Sequence, residues 1–183
     1  MNKRVLGALA AACLVASPVS AAEFVERLVI DDSPLVLQGE GTASYLFWDV
    51  YDAALYAPAG ATAAAIGAAE VPMSLVLEYH RDVRVADIRK ATWKALDEQY
   101  EAAEREAIRP KIEAIQAAMI DVTDGDRYRL DWTPGSDRLV LRLNGETRFE
   151  SGDAELARAY FGIWLAEPPL SETLRAALLS RAE

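Results

Sequence analysis

The segment Ser44–Tyr56 constrains the fold most, because apolar and aromatic side chains occupy both of its alternating faces. Its five aromatic residues are Tyr45, Phe47, Trp48, Tyr51 and Tyr56. In an extended strand, successive side chains point to opposite sides of the sheet. A strand that is largely apolar on both sides is typical of the middle of a sheet that carries a helix layer. We therefore expect one long central strand over this segment.

Shorter strand patterns precede the central strand. Phe24–Ile30 is β-branched and apolar, and Leu35–Leu37 is a second apolar run. Asp31–Pro34 has the composition of a turn between them. Gly39–Gly41 predicts another turn, which would end the second strand. After the central strand, the alanine-rich stretch Thr62–Ala69 predicts a short connecting helix.

The middle of the chain reads as one strand followed by two helices. Pro72–His80 is an apolar strand pattern. From Val85 onward, apolar residues recur at the spacing of a helix face, and Asp87 in the first turn favours the helix dipole. Pro110 predicts the start of a second helix, because proline is best tolerated in the first turn.

The last part of the chain predicts three strands and two helices. Tyr128–Trp132 and Leu139–Leu143 alternate as strands do, and Asn144-Gly145 is a strong signal for a tight hairpin turn. Helical spacing follows in Ala154–Leu165, and Ser171 caps a final helix. Strands, helices, strands and helices in this order predict an α+β fold, with an antiparallel sheet and helices packed on one face.

The amino terminus has the three zones of a secretory signal peptide. A basic start at Lys3-Arg4 precedes the uncharged apolar run Val5–Val15, and small residues end at Ala22. We expect cleavage after Ala21 or Ala22, a single mature domain over 23–183, and a periplasmic location. An alternative is lipidation at Cys13, the one cysteine of the chain.

Net charge limits the partners of the mature chain. The 183 residues carry a net charge of −10 at pH 7. The charge becomes −12 when Lys3 and Arg4 leave with residues 1–22, which contain no acidic residue. Such an acidic chain is repelled by nucleic acid and by anionic membranes, so we expect no nucleic-acid partner. The mature chain contains no apolar stretch long enough for a membrane span.

Few residues carry recognisable chemistry. His80 is the one histidine, and without Cys13 no cysteine remains, so we expect no metal site. Gly39–Gly41 lacks the third glycine of a dinucleotide loop, and no nucleophile elbow is present, so we expect no cofactor. His80 is interpreted as a polar residue at the end of a strand.

The aromatic segment Ser44–Tyr56 has two interpretations. It is either ordinary core or the wall of an apolar cleft between sheet and helices, where a flat or long ligand could lie. In the second case an arginine near the cleft could bind a carboxylate. The candidate lining residues are Tyr45, Tyr79, Arg84 and Trp93.

Four segments resemble the bacterial chalcone isomerase-like proteins, small secreted relatives of plant chalcone isomerases and fatty-acid-binding proteins. They are Gly39–Tyr56, Leu75–Arg84, Gly125–Gly135 and Ala159–Pro169. The resemblance as a whole extends over nearly the whole mature chain. The resemblance implies an open-faced β-sandwich, a large antiparallel sheet with a layer of helices.

The same resemblance argues against isomerase catalysis. Chalcone isomerases have an arginine shortly after the Gly-x-Gly segment, which stabilises the developing oxyanion. Ala43 stands at that position, and no tyrosine stands at Val83–Val85, where the plant enzymes have one. We therefore expect a non-catalytic domain that binds a small apolar or amphipathic ligand, such as a fatty acid. Two alternatives stay open, an enzyme acting on a small phenol or enone and an envelope protein-interaction module.

Overall fold

The computed structural model describes residues Phe24–Glu183, which form one antiparallel sheet and five α-helices. The strands are β1 (Arg27–Ile30), β2 (Ser33–Tyr45), β3 (Trp48–Ala57), β4 (Met73–Tyr79), β5 (Arg127–Thr133), β6 (Arg138–Leu143) and β7 (Glu146–Ser151). The helices are α1 (Ala63–Gly67), α2 (Val85–Gln99), α3 (Ala102–Ala117), α4 (Ala154–Leu165) and α5 (Glu172–Leu178). The expected signal peptide and Cys13 lie outside the described residues.

The seven strands follow one another in the sheet in the order of the sequence, and every neighbouring pair is antiparallel. Most connections are short. The exceptions join β3 to β4, where α1 intervenes, and β4 to β5, where α2 and α3 intervene. The predicted α+β class, with its helices on one face of an antiparallel sheet, is confirmed.

The main core lies between one face of the sheet and the helices. Alternate residues of β3 to β6 point toward the helices, including Leu55, Leu75, Leu130 and Leu141. These meet buried side chains from all five helices, which are Ile66, Leu96, Ile108, Ile112, Ile115, Leu156, Phe161, Leu174 and Leu178. Burial of this apolar surface is the main stabilising term for the fold.

The opposite face of the sheet carries a small apolar cluster and a network of charges. Residues of β1, β2, β3 and β4 form the cluster, which includes the buried Tyr56. Further along the sheet, the buried Asp131 carboxylate accepts hydrogen bonds from Ser74 at 2.7 Å and from the guanidinium groups of Arg129 and Arg142. Multiple donors make burial of this carboxylate tolerable.

Gly39–Gly41 is not a turn, which corrects the sequence prediction. β2 continues through both glycines, and they face α5. A Cβ atom at Gly39 would lie 2.0 Å from the carbonyl oxygen of Ala177, and one at Gly41 would lie 2.8 Å from the Ala177 Cβ. Glycine inside a strand often marks such a close backbone approach, and here it lets α5 pack directly on the sheet.

The expected single strand over Ser44–Tyr56 is also wrong. The chain reverses at Leu46-Phe47, so this segment contributes the end of β2, a tight turn and β3. Tyr45 and Trp48 pair across the turn, and Leu46 has a positive φ of 57°. Apolar residues at a turn carry no local signal of the kind that Gly, Asn or Pro provide, so the reversal could not be predicted from the residue types.

Pro110 lies inside α3 and does not start a helix. The break between the two helices falls at Tyr100, and α3 begins after Glu101. The Glu101 backbone N–H donates to the Glu104 carboxylate at 3.2 Å, so a capping box marks the start of the helix. This capping signal lies within a run of acidic residues, so it does not stand out in the sequence.

Other local predictions are confirmed. Asn144 and Gly145 have φ values of 52° and 85° in the turn between β6 and β7. The Ser171 hydroxyl accepts a hydrogen bond from the Leu174 backbone N–H at 3.3 Å and caps α5.

Candidate ligand-binding site between sheet and helices

Three tyrosines form a row across the helix-covered face of the sheet. Tyr51, Tyr79 and Tyr128 come from β3, β4 and β5. Tyr51 and Tyr79 are paired residues with ring centroids 5.5 Å apart, and the Tyr79 and Tyr128 rings are 6.3 Å apart in an edge-on arrangement. Aromatic pairs in such tilted geometries attract one another beyond their burial.

Helix α4 covers this row with two further aromatic side chains. Tyr160 and Trp164 are four residues apart and therefore share a helix face, with ring centroids 6.4 Å apart. The half-buried Trp164 indole donates its Nε1–H to the Tyr51 hydroxyl at 3.0 Å. The Tyr160 hydroxyl lies 3.1 Å from the sulfur of Met119. We name these five residues, Tyr51, Tyr79, Tyr128, Tyr160 and Trp164, the aromatic site.

The tyrosine hydroxyls of the aromatic site are neutral at physiological pH. Burial raises the pKa of Tyr51 to about 12 from its usual value near 10. Burial likewise raises the pKa of Tyr79 well above the usual value, and the pKa values of Tyr128 and Tyr160 are also raised mainly by burial. These groups can donate hydrogen bonds to a ligand, but as neutral phenols they are poor general bases.

The Tyr79 hydroxyl differs from its neighbours in its hydrogen bonding. The Tyr128 hydroxyl bonds to the backbone N–H of Ile120 at 3.0 Å, and Tyr51 is bonded to Trp164. Tyr79 is only 3% exposed, and no hydrogen bond joins its hydroxyl to another residue within 24–183, although the hydroxyl is not among the fully enclosed polar atoms that lack a partner. A hydroxyl group of this kind can donate to an acceptor atom on a ligand.

The four residues proposed from the sequence lie in different places. Tyr79 belongs to the aromatic site, whereas Tyr45 is exposed at the turn between β2 and β3. Arg84 precedes α2, is exposed, and pairs with Asp87 at 3.1 Å. Trp93 is half-buried on α2, and its ring lies 4.6 Å from the guanidinium carbon of Arg109.

Ala43 lies beside the aromatic site. Its register partner on β3 is Tyr51, and its methyl group packs against the main core. A methyl group supplies no charge and no hydrogen-bond donor, so the oxyanion-stabilising group of a chalcone isomerase has no equivalent at this position.

His80 lies on the other face of the sheet. Its Nε2 atom is 3.0 Å from Asp52 Oδ2, and the Thr42 hydroxyl donates to the other oxygen of that carboxylate at 2.6 Å. Ala54 and Tyr56 of β3 belong to the apolar cluster on the face away from the helices, and Asp52, two residues before Ala54, points to the same face. The sheet therefore separates this histidine from the aromatic site.

Two shallow surface grooves lie beside the first residues of β2, at the end away from the turn between β2 and β3. They have volumes of about 420 and 410 Å³ and share Arg27, Val36 and Ala59 in their walls. None of the four residues proposed from the sequence lines either groove.

Within residues 24–183 no group of three or more His, Cys, Asp or Glu side chains could hold a metal ion. No helix in the same part of the chain is both long enough and apolar enough to span a bilayer.

The fold and the aromatic site define an α+β domain whose helix layer covers one face of an antiparallel sheet. The chain belongs to the chalcone isomerase-like family, because the family model matches residues 16–180. Among solved structures, it is similar to the crystal structure of a fatty-acid binding protein from Arabidopsis thaliana, with a TM-score of 0.66 and 15% identity. That match covers 90% of this chain and 95% of the plant protein. A comparison with curated proteins found no match.

Four residues of the aromatic site were not proposed from the sequence. Tyr51 belonged to the aromatic segment, and Tyr160 and Trp164 to the inward face of a predicted helix, but nothing local distinguished them from core. Tyr128 was one member of an alternating strand. The strand pairing that places these side chains together is a long-range property, which single-segment patterns do not contain.

Proposed function

We propose that this protein is a non-catalytic, exported binding domain for a small apolar or amphipathic ligand, with a fatty acid as the leading candidate. The aromatic site supplies an apolar environment between sheet and helices, as ligand sites commonly do. Family membership and the similarity to a plant fatty-acid binding protein support this proposal.

The hydrogen-bonding state of Tyr79 carries the proposal. Its hydroxyl has no hydrogen-bond partner among the described residues, so it can donate to a ligand or to a water molecule. The carboxyl or carbonyl end of an amphipathic ligand would accept this hydrogen bond, while its apolar part lies against the neighbouring rings. The neutral state of the surrounding tyrosines favours such a ligand over a strongly cationic or polar one.

Trp164 is the residue that we expect to control access. It is half-buried, whereas Tyr51, Tyr79 and Tyr160 are buried, so its indole separates the aromatic site from solvent. A single hydrogen bond to Tyr51 fixes the indole in the closed position. Rotation of this side chain breaks one bond of modest strength, about 1 kcal/mol.

Fatty-acid binding to the delipidated chain 23–183 tests the proposal. Tyr79→Phe should weaken binding about tenfold or more, because the ligand loses a hydrogen bond to a charged or polar end group. The stability of the Tyr79→Phe variant should be unchanged or slightly higher, because no described protein group loses a hydrogen-bond partner. Tyr128→Phe is the matched control, since its hydroxyl is already bonded to Ile120. The control should lose stability and bind the ligand nearly as well as the wild type.

Native mass spectrometry of protein purified from the periplasm complements the binding assay. A bound mass of a few hundred daltons would support the carrier function, and the protein mass would show whether cleavage follows Ala22. Protein that carries no ligand after purification and takes up no fatty acid after delipidation would contradict the proposal. Recovery only from the cytoplasm, with residues 1–22 intact, would contradict the proposed export.

An isomerase-like enzyme has less support. Ala43 supplies no oxyanion donor, and the Asp52–His80 pair lies on the far side of the sheet from the aromatic site. Turnover of a chalcone or a related enone that disappears in Tyr79→Phe would establish the enzyme alternative.

A further inference from the structure

The turn between β2 and β3 exposes four consecutive apolar residues, Tyr45–Trp48, which we name the hairpin tip. Tyr45 is 71% exposed, Leu46 76%, Phe47 96% and Trp48 64%. Isolated exposed apolar residues are common in soluble proteins, but a contiguous group at the end of a ribbon is not. Folding does not account for the group, because these side chains are largely outside both apolar cores.

The hairpin tip is held as a defined projection. β2 and β3 remain paired up to Tyr45 and Trp48, and the Ser44 hydroxyl donates to the Asp49 carboxylate at 2.7 Å directly behind the tip. Leu46 adopts a positive φ of 57°, a conformation that is costly for a branched side chain. The chain therefore presents these apolar side chains at some expense in backbone energy.

We propose that the hairpin tip inserts into the interfacial layer of a lipid bilayer. Tryptophan and tyrosine prefer the membrane–water interface, where their rings meet lipid and their polar atoms meet water. Phe47 and Leu46, at the outermost positions, would enter the acyl region. This proposal does not depend on the ligand-binding function and would hold for the protein without ligand.

The groups behind the tip fit a lipid surface. The Arg81 guanidinium carbon lies 5.2 Å from the centre of the Trp48 ring, so a cation stands beside the aromatic group, at the level of the lipid phosphates. Asp49 and Ser44 form a polar boundary that limits the depth of insertion.

A protein partner fits the tip less well than a bilayer. Four side chains of this size expose roughly 600 Å². A stable protein interface of standard size buries about 800 Å² on each partner. The surface next to the tip cannot supply the difference as apolar area, because Asp49 and Arg81 are exposed there. A narrow projection inserts into a fluid layer without needing a complementary surface.

Flotation with vesicles of neutral phosphatidylcholine tests the proposal. The chain 23–183 should be used, because the apolar run Val5–Val15 would itself bind lipid. We expect the wild type to float with the vesicles and Phe47→Ser to bind at least about tenfold more weakly. Because Phe47 is almost fully exposed, the variant should keep the wild-type unfolding temperature.

Val29→Ser is the matched control. Val29 is 65% exposed on β1 and pairs with Pro34, at the opposite end of β2 from the hairpin tip. Its loss should leave vesicle binding unchanged. Wild-type protein that stays in the soluble fraction would overturn the proposal, and so would equal binding by Phe47→Ser. If sedimentation instead shows a dimer that Phe47→Ser dissociates, while the vesicles bind nothing, a second copy of the chain replaces the bilayer as the occupant.

Discussion

Gly39 shows how a single residue sets the distance between a helix and the sheet. The absence of a side chain allows the Ala177 carbonyl of α5 to approach the β2 backbone. The obstacle to any larger residue is backbone, which cannot rotate away as a flexible side chain would. The position therefore tolerates no Cβ without a shift of α5.

Gly39→Ala should destabilise the protein by about 1–3 kcal/mol, the range typical of an overpacked interior. Gly135→Ala is the control, because a Cβ there would meet nothing within 4 Å. The control should change the free energy of unfolding by less than about 0.5 kcal/mol. Urea denaturation of both variants measures the difference. Equal stability would show that α5 is not in contact with β2 in solution.

At the scale of the element, α3 contains an unusual proline. Pro110 lies in the middle of the helix and is exposed, and its nitrogen cannot donate to the Glu106 carbonyl. The helix persists because its buried stripe, Ile108, Ile112 and Ile115, packs against the sheet. Tertiary packing thus overrides a local preference against helix.

Pro110→Ala should raise the free energy of unfolding by about 1–2 kcal/mol. The gain is smaller than the full penalty of a proline within a helix, because proline also restricts the unfolded chain. Pro134→Ala serves as the control, since Pro134 opens a short 3-10 turn, where proline is well tolerated. Thermal unfolding should show a gain for the first variant and none for the second. No gain at Pro110 would mean that the helix is bent there to relieve the clash.

The elements that were predicted correctly are those with strong local signals. Asn144-Gly145 requires positive φ values, and Ser171 offers a capping oxygen, so each marks its element without reference to the rest of the chain. The prediction from Pro110 was wrong because proline is common at the start of a helix but also occurs, at a cost in stability, inside one.

The candidate site could be predicted only in part, because its residues come from separate segments that strand pairing brings together. Tyr79 was identified as a lining residue, but Tyr45 belongs to the exposed end of the hairpin. The separation of the two follows from the reversal at Leu46-Phe47, where the sequence contains neither glycine nor proline.

At the scale of the whole molecule, the buried tyrosines link stability to alkaline pH. The folded state raises the pKa of Tyr51 to about 12, and the pKa values of Tyr79, Tyr128 and Tyr160 are raised as well. The folded state therefore holds these protons more tightly than the unfolded state, whose tyrosines titrate near pH 10. This stabilisation is fully present below pH 10 and is lost as the pH rises toward the folded-state values.

Between pH 8 and pH 11, Tyr51 alone should account for a loss of about 1.4 kcal/mol in the free energy of unfolding. Tyr51→Phe should reduce the pH dependence by this amount, because phenylalanine has no proton to release. Tyr45→Phe, at an exposed position, should leave the pH dependence unchanged. Urea unfolding at pH 8 and pH 11 gives the comparison. A wild-type protein equally stable at both pH values would show that the tyrosine hydroxyls are open to water.

The uninterrupted strand order, β1 to β7, has a consequence for how the chain assembles. Each strand finds its partner in the strand just completed, so most of the sheet can grow by adding one hairpin at a time, with little entropy lost in closing loops. The junction of β4 with β5 is different, because 47 residues, from His80 to Asp126, must first be spanned. We therefore expect β1–β4 and β5–β7 to form as two separate parts of the sheet. The two parts pair, through β4 and β5, only after α2 and α3 have folded.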